Sequence, residues 1–223
     1  MSINDYNQVN KNHFLIAGDS GHLEATLDQP DSPERNAIAV CCHPHPLHGG
    51  AMTNKVIYTV SRTLSGMGIP SVRFNFRGVG NSQGEYDEGK GEQQDLMKVV
   101  EWMQKKYPGR PLWLAGFSFG SWIAALQAKK LGAQQLISIA PPVNRFSFDE
   151  FQIPDCPWLV VQGDADEVVD PEAVFQWLDD LPKKPEVIRM EGAGHFFHSR
   201  LVDLRELMEG KLQAHLPEEL QAP

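Results

Sequence analysis

Residues 111–130 read PLWLAGFSFGSWIAALQAKK. The apolar run Pro111–Ala115 has the length of a buried strand. Gly116–Phe117–Ser118–Phe119–Gly120 then breaks it, and a small-residue stretch of helical composition follows. Strand, tight turn and helix in immediate succession make the repeating unit of a parallel sheet. The rest of the chain shows the same alternation. Strand-length apolar runs occur at Phe14–Ile16, Gly21–Leu27, Ala37–Cys42, Ser71–Phe76, Leu136–Ala140, Trp158–Gln162 and Glu186–Met190. The later runs are nearly continuous and bounded by Gly or Pro, as central strands covered on both faces should be. Helical spacing lies between them, at Val56–Val60–Leu64, at Leu96–Val99–Val100–Met103–Tyr107 and at Phe197–Leu201–Leu204–Met208. The reading is an α/β fold, one domain over residues 1–223. It has a single doubly wound, mostly parallel eight-stranded sheet, helices on both faces and an antiparallel edge formed by the first two strands. The first ten residues and the tail PEELQAP after Leu216 read as loose ends.

A chain of 223 residues can bury roughly 70% of its extended surface, enough for one core without staples. With 41% hydrophobic residues it is neither disordered nor fibrous. Its 29 acidic and 20 basic residues give a net charge of −9. Twelve of the acids and three of the bases fall between residues 149 and 191, which accounts for the whole imbalance. With no basic surplus to neutralise phosphates, nucleic acid is excluded as a partner. Cys41, Cys42 and Cys156 are too few for a disulfide framework and fit a reducing compartment. The start, MSINDYNQVN, lacks the basic and apolar regions of a signal peptide, and no apolar run reaches a membrane span. The expectation is a cytoplasmic protein without a membrane partner.

A serine between two glycines at a strand-to-helix turn is held with its hydroxyl exposed at the carboxyl end of the sheet, over a helix N-terminus. To act as a nucleophile, Ser118 needs a base, and the base needs an orienting carboxylate. Both should come later, on turns that follow strands. One such turn is Gly163–Asp164–Ala165–Asp166–Glu167–Val168–Val169 and another is Gly192–Ala193–Gly194–His195. His195 is the candidate base and Asp166 the candidate acid. Asp164 is the alternative acid, or a brace for the same turn. Asp170, before Pro171, reads as a helix cap, and His198 as a packing or solvated residue.

An oxyanion needs two N–H donors. One should be the backbone N–H of Phe119, and the other should come from the loop Cys42–His43–Pro44–His45–Pro46–Leu47–His48–Gly49–Gly50. Pro44 and Pro46 have no N–H, so His45 supplies the first donor beyond His43. The rival reading of His43, His45 and His48 is a metal cluster. The alternating prolines hold the chain extended, so the three histidines are expected in structural or substrate-rim roles, with no metal and no cofactor. The loop Phe74–Gly84 lacks the glycine spacing and lysine of a phosphate loop, so Arg77 is expected to tie it to its neighbours.

Taken together, the elbow at Ser118, the G-x-x-D at Gly163–Asp166 and the G-x-G-H at Gly192–His195 resemble the α/β-hydrolase superfamily over nearly the whole chain. HPHPLHGGAMTNKV and FNFRGVGNSQG resemble a compact bacterial branch near the dienelactone hydrolases. Those enzymes use a cysteine nucleophile where this chain has Ser118, so their substrate does not carry over. The resemblance implies a Ser-His-Asp hydrolase. Many relatives insert a helical cap after the sixth strand, whereas residues 141–158 leave no room for one. An open site is expected, with Phe117, Phe119, Phe146, Phe148, Phe196 and Phe197 available as lining. The expected substrate is a small carboxylic ester or thioester. An acyl-peptide or aminopeptidase-type hydrolase and a non-enzymatic binding protein are the alternatives. If the acidic 149–191 segment faced the site, anionic esters would be disfavoured.

Overall fold

Where a strand is covered on both faces every residue must be apolar or paired, and this places the centre of the sheet. The structure, a computed structural model, describes residues 13–220. Its strands are β1 (His13–Gly18), β2 (Gly21–Asp28), β3 (Ile38–Cys42), β4 (Ser71–Phe74), β5 (Leu112–Phe117), β6 (Gln135–Ile139), β7 (Trp158–Gly163) and β8 (Glu186–Met190). They form one sheet in the order β1-β2-β4-β3-β5-β6-β7-β8. From β4 to β8 all pairs are parallel, and β1–β2 and β2–β4 are antiparallel. Every residue of β3, β5, β6 and β7 is buried. At the edge, β8 exposes Glu186, Val187 and Arg189.

Helices α2 (Lys90–Lys106), α3 (Phe119–Ala128) and α4 (Pro171–Asp180) cover one face, and α1 (Lys55–Gly66) and α5 (Leu201–Leu212) the other. Pleating divides β3 between the two cores. Ile38, Val40 and Cys42 join Leu96, Val99, Met103 and Ile123, while Ala39 and Cys41 join Val60, Leu64, Leu204 and Met208. Each fully buried Leu, Ile, Val or Phe contributes about 1.5–3 kcal/mol. The three thiols are free and buried. No helix of the described residues is long and apolar enough to cross a membrane.

Three expectations change. The loose first ten residues lie outside the described range, but the tail is tied down through Glu219 and Leu220. Arg35 donates to the Pro217 carbonyl (2.9 Å) and pairs with Glu219 (2.9 Å), and the Leu220 N–H reaches the Glu34 carbonyl (2.7 Å). Composition cannot show a backbone pairing made from 180 residues away. Next, Phe197 keeps the helical spacing of α5 but lies outside it. Its φ is +49° and that of Ser199 is +60°, so the helix starts at Leu201 and His198 sits on the turn. Finally, β4 stops at Phe74. Beyond it the Phe76 and Arg77 N–H groups leave the ladder for His43 Nε2 (3.0 Å) and Asp95 Oδ2 (3.0 Å).

Between β6 and β7 the chain crosses residues 140–157 without a helix, so among the described residues no cap stands over the carboxyl ends of the strands. The loop Pro141–Phe151 is firm nonetheless. Phe146 stacks on Trp122 with ring centroids 4.7 Å apart, and Trp122 Nε1 donates to the Ser147 carbonyl (2.8 Å). Arg77 grips Asp95 through Nε (3.0 Å) and Nη2 (2.8 Å), fastening the glycine-rich loop to α2 as expected.

Candidate active site

At the end of β5 the chain must reverse into α3 within one residue. Ser118 takes that strain, at φ 52° and ψ −122°, a region that costs about 1–3 kcal/mol for a side-chain-bearing residue. The turn closes only because its neighbours lack side chains. A Cβ on Gly116 would overlap the Gly120 carbonyl, and one on Gly120 would overlap the carbonyls of Cys42 and His43. The Ser118 N–H donates to Ile139 O (2.8 Å), and its carbonyl accepts from the Ser121 N–H (2.8 Å) and hydroxyl (2.7 Å).

The turns after β7 and β8 bring Asp166 to His195. His195 Nδ1 lies 2.8 Å from Asp166 Oδ2, and both side chains are buried. The other carboxylate oxygen accepts from the Val168 (2.8 Å) and Val169 (2.7 Å) N–H groups, and Gln162 Nε2 donates to Oδ2 (3.1 Å). Burial pulls the Asp166 pKa up, but the His195 hydrogen bond and the two N–H donors outweigh it, and the pKa lies below the ordinary 3.8. The ionised carboxylate accepts only, so Nδ1 carries the imidazole proton and Nε2 is free. Asp164 points elsewhere. It accepts from the Gly192 N–H (2.7 Å) and pairs with Arg189 (3.3 Å), bracing the turn below His195. Asp170 caps α4, accepting from the Glu172 N–H (3.1 Å). Glu167 and Gln162 are contacts that sequence reasoning did not assign. Glu167 takes the His195 backbone N–H (3.1 Å), and a Cβ on Gly194 would press on the same carboxylate oxygen.

The loop after β3 has its own internal order. His43 is fully buried, with Nδ1 donating to the Pro44 carbonyl (2.6 Å) and Nε2 accepting from the Phe76 N–H. In His45, Nδ1 accepts from the Leu47 N–H (3.2 Å) and Nε2 faces Tyr86 Oη (3.3 Å). Both histidines thus use both ring nitrogens in fixing the loop. Among the described residues no group of three or more His, Cys, Asp or Glu side chains is placed to hold a metal. The backbone N–H groups of Phe119 and His45 have no protein acceptor among the described residues.

Burial pushes the His43 pKa down from 6.5 to about 4. Between those values the unfolded chain binds a proton that the folded chain refuses. Stability therefore falls as pH drops through this window, by about 3 kcal/mol when complete. Urea unfolding at pH 7 and pH 4.5 should show this loss in the wild type and a smaller one in His43→Asn. Equal losses in both proteins would contradict the assignment.

Ser118 and His195 open into one cavity of about 450 Å³, within the roughly 300–1,000 Å³ usual for small-molecule sites. Of the six expected aromatic liners, Phe146 and Phe196 reach it. Phe117, Phe119 and Phe197 are fully buried beneath, where Phe117 packs on the His195 ring at 5.0 Å. Phe148 instead packs against Trp177, 4.8 Å away.

A family model described as an alpha/beta hydrolase domain matches residues 41–215. The crystal structure of XC6422 from Xanthomonas campestris, described as an α/β serine hydrolase without lid, is 45% identical. It superposes with a TM-score of 0.90 over 93% of this chain and 96% of that one. An α/β serine hydrolase homologue from Coxiella burnetii is 46% identical, with a TM-score of 0.88 over 92% and 98%. RP471 of Rickettsia prowazekii is 35% identical over 190 residues, 81% of this chain and 79% of its own length.

Proposed function

The chain belongs to the α/β-hydrolase domain family, and on that footing we propose that it cleaves small carboxylic esters or thioesters through Ser118, His195 and Asp166. The observation that carries the reading is the 2.8 Å contact between Asp166 and His195 beside a cavity that Ser118 also lines. Asp166 holds the imidazole with Nε2 unprotonated, so Nε2 takes the proton of Ser118 Oγ as that oxygen attacks the carbonyl carbon. The N–H groups of Phe119 and His45 stabilise the oxyanion. His195 then gives the proton to the departing alcohol or thiol. Water attacks the acyl-enzyme by the same steps and releases the acid. The chemistry calls for no metal or cofactor. The free buried thiols suit a reducing compartment, and the cytoplasm is the location we propose.

Gripping a peptide's N-terminal ammonium would call for a carboxylate, and the described cavity lining includes neither Asp nor Glu, which argues against the aminopeptidase reading. A panel of p-nitrophenyl esters from acetate to decanoate, with matched thioesters and aminoacyl amides, tests the substrate class. The cavity of about 450 Å³ should favour short acyl chains, with kcat/KM falling as the chain lengthens. Faster turnover of aminoacyl amides, or a rise towards decanoate, would contradict the proposal.

A further inference from the structure

Resting on that reading, we propose that Arg145 is an anion-recognising group of the cavity, and that the preferred substrates are esters carrying a free carboxylate. Among the described residues lining the cavity, Arg145 alone bears a fixed charge. It is held in place from two sides. Its backbone N–H donates to the Pro142 carbonyl (3.0 Å), and Nε donates to the Val168 carbonyl (2.8 Å) across the cavity wall. Among the described residues Nη1 and Nη2 have no acceptor, which leaves two donors in the geometry that grips a carboxylate. The loop that carries it is pinned by the Phe146–Trp122 stack, so little ordering accompanies binding.

This reverses what the acidic 149–191 segment suggested. Asp166 and Glu167 are committed to His195, and Asp164 to Gly192 and Arg189. Asp155 and Asp179 pair with Lys129 and Lys184, and Asp170 caps α4. Exposed charges beyond about 8–10 Å are largely screened at physiological salt, whereas Arg145, itself exposed but on the cavity wall, lies within contact distance of a ligand held there. The local contact outweighs the net charge.

The test compares kcat/KM for matched pairs followed by acid release. Monomethyl adipate against methyl hexanoate places the carboxylate on the acyl side; 4-acetoxybutanoate against butyl acetate places it on the alcohol side. At least one anionic member should exceed its neutral partner by about tenfold in the wild type. The ratio should fall at least tenfold in Arg145→Gln, fall further in Arg145→Glu and be partly kept in Arg145→Lys. Because the ratio is read within each variant, partial loss of folded protein cancels from it. Neutral preference in both pairs, or a ratio that Arg145→Gln does not move, overturns the inference while leaving the hydrolase reading intact. If the wild type hydrolyses neither member of either pair, the hydrolase reading falls and this inference with it.

Discussion

Ser118→Ala is expected to lose ester turnover by about six orders of magnitude in kcat, or about 8 kcal/mol of transition-state stabilisation. The size follows from what the other groups can do alone. Without Oγ, His195 has no nucleophile to activate, and the acyl-enzyme route closes. The donors at Phe119 and His45 would still polarise a bound carbonyl, leaving a small residual rate. The substitution removes one oxygen from a residue that is nearly buried and keeps the backbone at φ 52°. Thermal unfolding should therefore change far less than turnover. A kcat within tenfold of the wild type would assign the nucleophile elsewhere.

Asp166→Asn should lower kcat by about 10⁴-fold through the tautomer of His195. One carboxylate oxygen accepts two backbone N–H groups and the other faces His195 Nδ1. An asparagine satisfies the Val168 and Val169 donors only with its carbonyl on that side, which turns its NH₂ towards Nδ1. His195 must then accept at Nδ1 and carry its proton on Nε2, where it cannot take one from Ser118. Asp164→Asn keeps an acceptor for the Gly192 N–H and should cost less than tenfold. The opposite ranking, measured with one p-nitrophenyl ester, would exchange the roles of the two acids.

Legibility in the sequence tracked how local each constraint was. The elbow could be read because its glycines are excluded from carrying a Cβ by carbonyls at the turn itself and on the adjoining β3 loop. The strands could be read because burial on both faces forces continuous apolar runs. Asp164 and Asp166 could not be separated by spacing alone. Only the register of β7 beside β8 decides which carboxylate reaches His195 and which reaches Gly192. Phe197 has helical spacing for a reason unrelated to helix formation, since the core beside Phe117 needs a ring there. Glu167 and Gln162 gave no signal. A glutamate in an acidic stretch and a glutamine in a strand acquire their contacts from a backbone N–H 28 residues away and from the turn at one strand end.

If Ser118 is the activated nucleophile, a fluorophosphonate should modify it covalently, and intact-protein mass spectrometry after treatment reads that adduct. One adduct per chain is expected, localised by peptide mapping to Ser118. The adduct should be absent from Ser118→Ala and should form much more slowly in Asp166→Asn. An adduct on another residue, or unchanged labelling of Ser118→Ala, would contradict it.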